Sequence, residues 1–194
     1  MPPLYTIGYA PHDPDSFAAI LRRHGVTAVA DVRSAPYSRF KPEFSKKRLQ
    51  AWLPEAGIEY VWFGEQLGPR YENPAVYKDG RADYELIAKD MKFIVGIASL
   101  MKGMKSFTVA LMCAEKDPLA CHRTILVARH MKDHADIRHI MADGSVEPHQ
   151  VTEKRLMALF EKDQAVLPGI EEPISLDDAY RLQGAKMAWK NKDF

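Results

Sequence analysis

Phe107-Thr-Val-Ala-Leu-Met-Cys113-Ala-Glu115-Lys-Asp-Pro118-Leu-Ala-Cys121-His122-Arg123 decides the architecture. An apolar run of strand length ends at Cys113. A short polar loop follows, and Cys121-His122-Arg123 opens a segment whose spacing predicts a helix over 121–134. Strand, short loop and helix form the repeating unit of a parallel sheet. The unit recurs on either side. Leu4-Tyr-Thr-Ile-Gly8 reads as a strand, and Asp13-Pro14 caps a helix that Gly25 stops. Residues 26–32 and 58–63 read as further strands, with a helix between them that Ser45 caps and Gly57 ends. Ile137-Arg-His-Ile-Met141 reads as a fifth, and Thr152 begins a helix with Leu156, Leu159 and Phe160. Ile87, Met91, Ile94, Val95 and Ala98 mark the expected buried face of one more helix, and residues 64–82 read as a long polar loop. The expectation is an α/β fold: a single three-layer domain of about five mostly parallel strands with helices on both faces. Residues 1–167 would form this domain. Residues 168–194, after the break at Leu167-Pro168-Gly169, would form a C-terminal tail with a short helix near 176–189.

Composition narrows the function classes. The 194 residues are 46% hydrophobic and 27% charged, with a net charge of +1. Such a chain buries an ordinary core and has no global pull toward nucleic acid or membrane. The N-terminal residues lack a signal-peptide pattern, and no apolar run is long enough to span a bilayer. Two cysteines make no disulfide framework, so a cytoplasmic, reducing location is expected.

Chemistry in such folds gathers at the carboxyl ends of strands. Three ends carry suitable groups: Gly8, Tyr9 and His12; Asp31, Arg33, Ser34, Ser38 and Arg39; and Cys113, Glu115, Cys121, His122 and Arg123. His122 has the titration range of a general acid or base. Cys121 and Cys113 are candidate nucleophiles, and both also suit a buried core. Asp31 is a candidate base, or a positioner of Arg33. Arg33, Ser34, Arg39, Arg70, Glu115 and Arg123 are candidate ligand-binding residues, the arginines for phosphate or carboxylate. Basic and aromatic residues interleave over 33–48, a pattern that suits a nucleotide or a single strand. Lys46, Lys47 and Arg48 read better as a solvated helix face. No metal or cofactor is expected, because Cys-x-x-Cys and His-x-x-x-His spacings are missing near the cysteines.

Several ordered motifs resemble one family. They are Tyr5-Thr-Ile-Gly8-Tyr9, Asp31-Val-Arg33-Ser34-x-Pro36-x-Ser38-Arg39, Gly57-Ile-x-Tyr60, Leu67-Gly68-x-Arg70, and Leu111-x-Cys113-Ala-Glu115-x-x-Pro118-x-x-Cys121-His122-Arg123. Over about residues 4–160 the chain resembles the domain-of-unknown-function 488 family. One departure is Tyr9, where family members often carry His. The resemblance implies an α/β fold and a cytoplasmic protein, and no particular reaction. Asp31-Val-Arg33-Ser34 also looks like an early strand of rhodanese-type sulfurtransferases. There the anion loop places Arg about six residues after Cys, whereas Cys113 and Arg123 are ten apart.

Three functions fit these groups. One is an enzyme acting on a phosphate-bearing small molecule, nucleotide or nucleic-acid end through His and Cys chemistry. The others are a non-catalytic nucleotide- or anion-binding module and a sulfurtransferase. The partner expected is a small anionic ligand, without membrane.

Overall fold

The computed structural model describes residues 1–164 and 174–191. The 167/168 boundary and the break at Leu167-Pro168-Gly169 lie outside the described residues. Six strands form the main sheet: β1 (Pro3–Gly8), β2 (Ala28–Asp31), β3 (Glu59–Trp62), β6 (Val109–Cys113), β7 (Asp136–Ile140) and β8 (Val146–Pro148). Their order is β3-β2-β6-β1-β7-β8. The first five are mutually parallel, and β8 pairs antiparallel with β7. The sixth strand, missed in the sequence, is a short edge hairpin after the Asp143-Gly144 turn.

Every residue of β2 and β6 is buried, as a parallel strand covered on both faces requires. Alternation divides the core. Tyr5, Ile7, Val29, Ala110 and Met112 pack with α1 (Pro14–Arg23) and α2 (Lys46–Glu55). Leu4, Ala28, Ala30, Val109, Leu111 and Cys113 face the opposite layer. That layer contains α5 (Met91–Gly103), α6 (His149–Gln164), α7 (Leu176–Met187) and a buried π helix at Arg123–Ala128. The domain therefore has three layers.

Asp13 caps α1 by a reciprocal box with Ser16. Ser45 precedes α2, but its hydroxyl accepts from Ser38 N–H at 3.1 Å and does not cap the helix. Residues 64–82 carry more structure than a polar loop: α3 (Gly64–Leu67), a 3₁₀ turn, and a hairpin of β4 (Tyr77–Lys78) and β5 (Arg81–Ala82). The short α4 (Tyr84–Ile87) follows.

The face of α5 expected to be buried is instead solvent-exposed at Met91, Ile94 and Val95. Phe93, Gly96 and Leu100 point inward. A Cβ on Gly96 would lie 2.7 Å from Gln66 Cβ, so this glycine lets α5 rest directly on α3. The helix expected over 121–134 begins as the π helix and tightens to 3₁₀ at Arg129–Met131.

Candidate functional site

The strand order makes β2, β6 and β1 neighbours, with β6 in the middle. All three suggestive carboxyl ends therefore sit side by side. Their side chains, however, divide between the two faces of the sheet.

On the α1–α2 side, Asp31 and Arg33 form a buried bidentate pair: Nε–Oδ1 is 2.8 Å and Nη2–Oδ2 is 2.6 Å. Arg33 N–H and Tyr60 OH also donate to Asp31, at 3.1 and 2.8 Å. Arg33 donates to Phe44 O at 2.8 Å and lies over the Tyr9 ring, which stacks on Phe44. Asp31 thus accepts four hydrogen bonds and holds Arg33 in place. Arg33 Nη1 and His12 Nε2 are buried here without a hydrogen-bond partner.

On the opposite side, β6 delivers Cys113, and the turn Pro118–Ala120 returns the chain so that Cys121 and His122 face it. Cys113 Sγ and Cys121 Sγ lie 3.8 and 3.9 Å from the same atom, His122 Nδ1. All three ligating atoms lie within 4.8 Å of one another. Cys113 Sγ is also 3.1 Å from Glu115 Oε2. His122 Nε2 is 2.9 Å from Val32 O. A carbonyl only accepts, so Nε2 carries the proton and neutral His122 turns its Nδ1 lone pair toward the thiols. This bond also spans the sheet end, tying the thiol cluster to the strand that carries Asp31 and Arg33.

The electrostatics separate the two thiols. The hydrogen bond with Cys121, then burial and the Glu115 charge, push Cys113 well above the ordinary thiol value. Burial also raises Cys121, but the Cys113 hydrogen bond, the Arg123 charge and His122 outweigh it and hold Cys121 well below that value. Burial lowers His122, and the Cys121 partner raises it further than burial lowers it. Burial, then Cys121, raises Glu115. These directions favour passage of the Cys121 proton to His122 Nδ1.

Arg123 is fully buried behind the cluster. Its Nη1 donates to Glu115 O, and Nη2 donates to Lys116 O at 3.4 Å. The same carbonyl closes on Gly8, where a Cβ would come within 1.9 Å of Glu115 O. Arg123 is thereby occupied in fixing the Glu115–Lys116 loop across the end of β1.

Sequence reasoning missed what holds Arg123 from the other side. Its Nε donates to Thr6 Oγ1 at 3.4 Å, and Thr6 Oγ1 lies 2.8 Å from His139 Nδ1. His139 Nε2 lies 2.9 Å from His149 Nδ1, and His149 Nε2 lies 3.1 Å from Tyr180 OH. Tyr180 OH donates to Glu153 at 3.1 Å. Carboxylate only accepts, so Tyr180 OH donates to Glu153 and accepts from His149 Nε2–H; with neutral histidines, His139 Nε2–H donates to His149 Nδ1 and Thr6 OH donates to His139 Nδ1. Both histidines are neutral in that order. Burial lowers each; a proton on His149 would lower His139 further, and the Lys132 charge lowers His149 against the opposing Glu153. The available signal was a polar residue inside each of two apolar strands, at Thr6 and His139.

The other candidates lie at the rim. Ser34 Oγ accepts from Arg70 N–H at 3.1 Å, and the exposed Arg70 guanidinium lies over Trp189 at 5.1 Å. Arg39 is exposed over Phe40, itself 91% exposed, beside the exposed Tyr37. Lys46 lies 3.8 Å over Trp62. Among the described residues no helix is long and apolar enough to cross a membrane.

The family model described as Domain of unknown function DUF488 matches residues 13–130. No curated protein and no solved structure gives a significant match.

Proposed function

We propose, for a chain that belongs to the DUF488 family of unknown function, a thiol-based enzyme in which Cys121 is the nucleophile and His122 its acid–base partner. The observation that carries this reading is the orientation of His122. Val32 O holds Nε2, so Nδ1 is left facing both thiols. His122 takes the Cys121 proton, and the thiolate then attacks the electrophilic atom of the substrate. The bond to the leaving group breaks, and that group takes the proton back from His122. Water activated by the same imidazole would release the bound fragment. Cys113 and Glu115 tune the nucleophile, and Glu115, exposed at the edge of the cluster, marks the side that solvent reaches.

The substrate class we propose is phosphate-bearing, a nucleotide or a nucleic-acid end. Arg33 and Arg123 are committed to internal partners, so phosphate recognition falls to Arg39 and Arg70 on the rim, with Ser34 supporting Arg70. Tyr37 and Phe40 offer exposed faces for a base. A reducing, cytoplasmic compartment would keep both cysteines as the thiols that the mechanism needs.

The test is the reaction of the reduced protein with a small thiol reagent across pH, each cysteine followed by mass spectrometry. Cys121 is expected to titrate well below the free value of about 8.5 and to react before Cys113. His122→Asn should move that titration up. Two inert thiols, or a Cys121 indifferent to His122→Asn, would leave a non-catalytic binding module. A persulfide formed on Cys121 from a sulfane donor would identify a sulfurtransferase.

A further inference from the structure

The cluster also has the composition of a metal centre. Cys113 Sγ, Cys121 Sγ and His122 Nδ1 lie within 4.8 Å of one another, and Glu115 Oε2 reaches the edge of this group at Cys113 Sγ. A tetrahedral zinc-type ion with bonds of about 2.0–2.3 Å sets its donor atoms about 3.3–3.8 Å apart. The separations here are 3.8 and 3.9 Å from sulfur to nitrogen and 3.1 Å from sulfur to carboxylate oxygen. Each is within a few tenths of an ångström of that geometry. The two sulfurs and the imidazole nitrogen therefore need little movement, and the exposed Glu115 side chain swings in to complete the set.

Two features prepare the site. The Nε2–H of His122 donates to Val32 O, the outer bond that fixes a ligating imidazole and keeps Nδ1 free for a metal. Arg123 fixes the Glu115 and Lys116 carbonyls, so the loop bearing the carboxylate is already ordered. Charge agrees as well. Two thiolates, one carboxylate and a dication leave one net negative charge, which the buried Arg123 balances.

We propose that these four side chains bind a thiophilic divalent cation of the zinc class. The two thiol protons leave to solvent as the ion enters, while neutral His122 and ionised Glu115 each donate a lone pair. This goes beyond the nucleophile reading: the metal-bound and free-thiol states exclude each other at Cys121, so the ion caps the nucleophile.

The experiment uses the full reduced chain, stripped with a chelator and titrated with cobalt(II), the spectroscopic stand-in for zinc. The expected result is saturation at one equivalent, with a thiolate-to-cobalt charge-transfer band and the visible bands of a tetrahedral centre. Zinc should displace the cobalt, and thiol modification should stop when either metal is bound. Cys121→Ser and Cys113→Ser should each weaken cobalt binding by more than the roughly 10–100-fold typical of outer-shell changes. Glu115→Gln, at an exposed position that does not threaten the fold, should weaken it about 10-fold and keep the sulfur band. Absence of a saturable sulfur band, with thiol modification unchanged by zinc, overturns the metal site and leaves the nucleophile reading standing. Saturable binding in a protein whose Cys121 is indifferent to His122→Asn overturns the nucleophile reading alone.

Discussion

Arg123 holds more of the site's geometry than either thiol does. It is buried, and its guanidinium closes the Glu115–Lys116 loop from beneath. Replacing it with Met leaves those carbonyls short of a donor, and the expected loss is about 1–3 kcal/mol, read from the urea midpoint at unchanged m. Arg123→Lys should recover little, because a single ammonium cannot reach carbonyl and hydroxyl partners along three directions. Gly8→Ala tests the same loop from above. A Cβ there collides with Glu115 O, so a loss of about 1–3 kcal/mol or more is expected, together with changed Cys121 reactivity. The place of His122 and Arg123 at a strand-to-helix turn was legible in the sequence. The inward commitment of Arg123 was not, because its partner Thr6 lies 117 positions away. Arg33 was legible for the opposite reason: its partner Asp31 is two residues away.

At the level of elements, five strands were readable because each is an apolar run bounded by turn residues. β8 is only three residues long and only partly buried, so no pattern announced it. In α5 apolar residues occur almost all round, and periodicity could not choose a face. Tertiary contact chose it through Gly96, which admits α3. The π helix was read as an ordinary helix because all six of its residues are buried and leave no polar face to mark the period. The last helix, α7, is joined to the interior by Tyr180 and by Gln183, which donates to Leu119 O at 2.7 Å just before Cys121. Tyr180→Phe removes the hydroxyl between His149 and Glu153, and a loss of about 1–3 kcal/mol is expected from the unpaired buried group. Thermal unfolding of the variant against the parent measures it.

For the molecule as a whole, the buried histidines set the acid limit. His139 is held neutral by burial first, then by the repulsion that a proton on His149 would add and by the charges of Arg123 and Arg155. Its folded value therefore lies below the ordinary value of about 6.5. In the unfolded chain it binds a proton as pH falls through that value, and in the folded protein it does not. Stability is then full above about pH 6.5 and declines toward pH 5, by up to about 1.4 kcal/mol per pH unit for this one group. His139→Gln should flatten that decline in Tm measured from pH 7 to pH 5. A parent whose Tm is constant over this range would contradict the assignment of a neutral His139. The sheet order has a consequence for synthesis on the ribosome. β1 leaves the exit tunnel first, yet pairs only with β6 and β7. More than half of the chain must be made before residues 109–113 supply its first neighbour. Until then β2 and β3 can zip together while β1 waits as an unpaired apolar segment, a natural client for a chaperone. The strand that ends that wait is the one that ends in Cys113, so this half of the thiol pair arrives with the centre of the sheet.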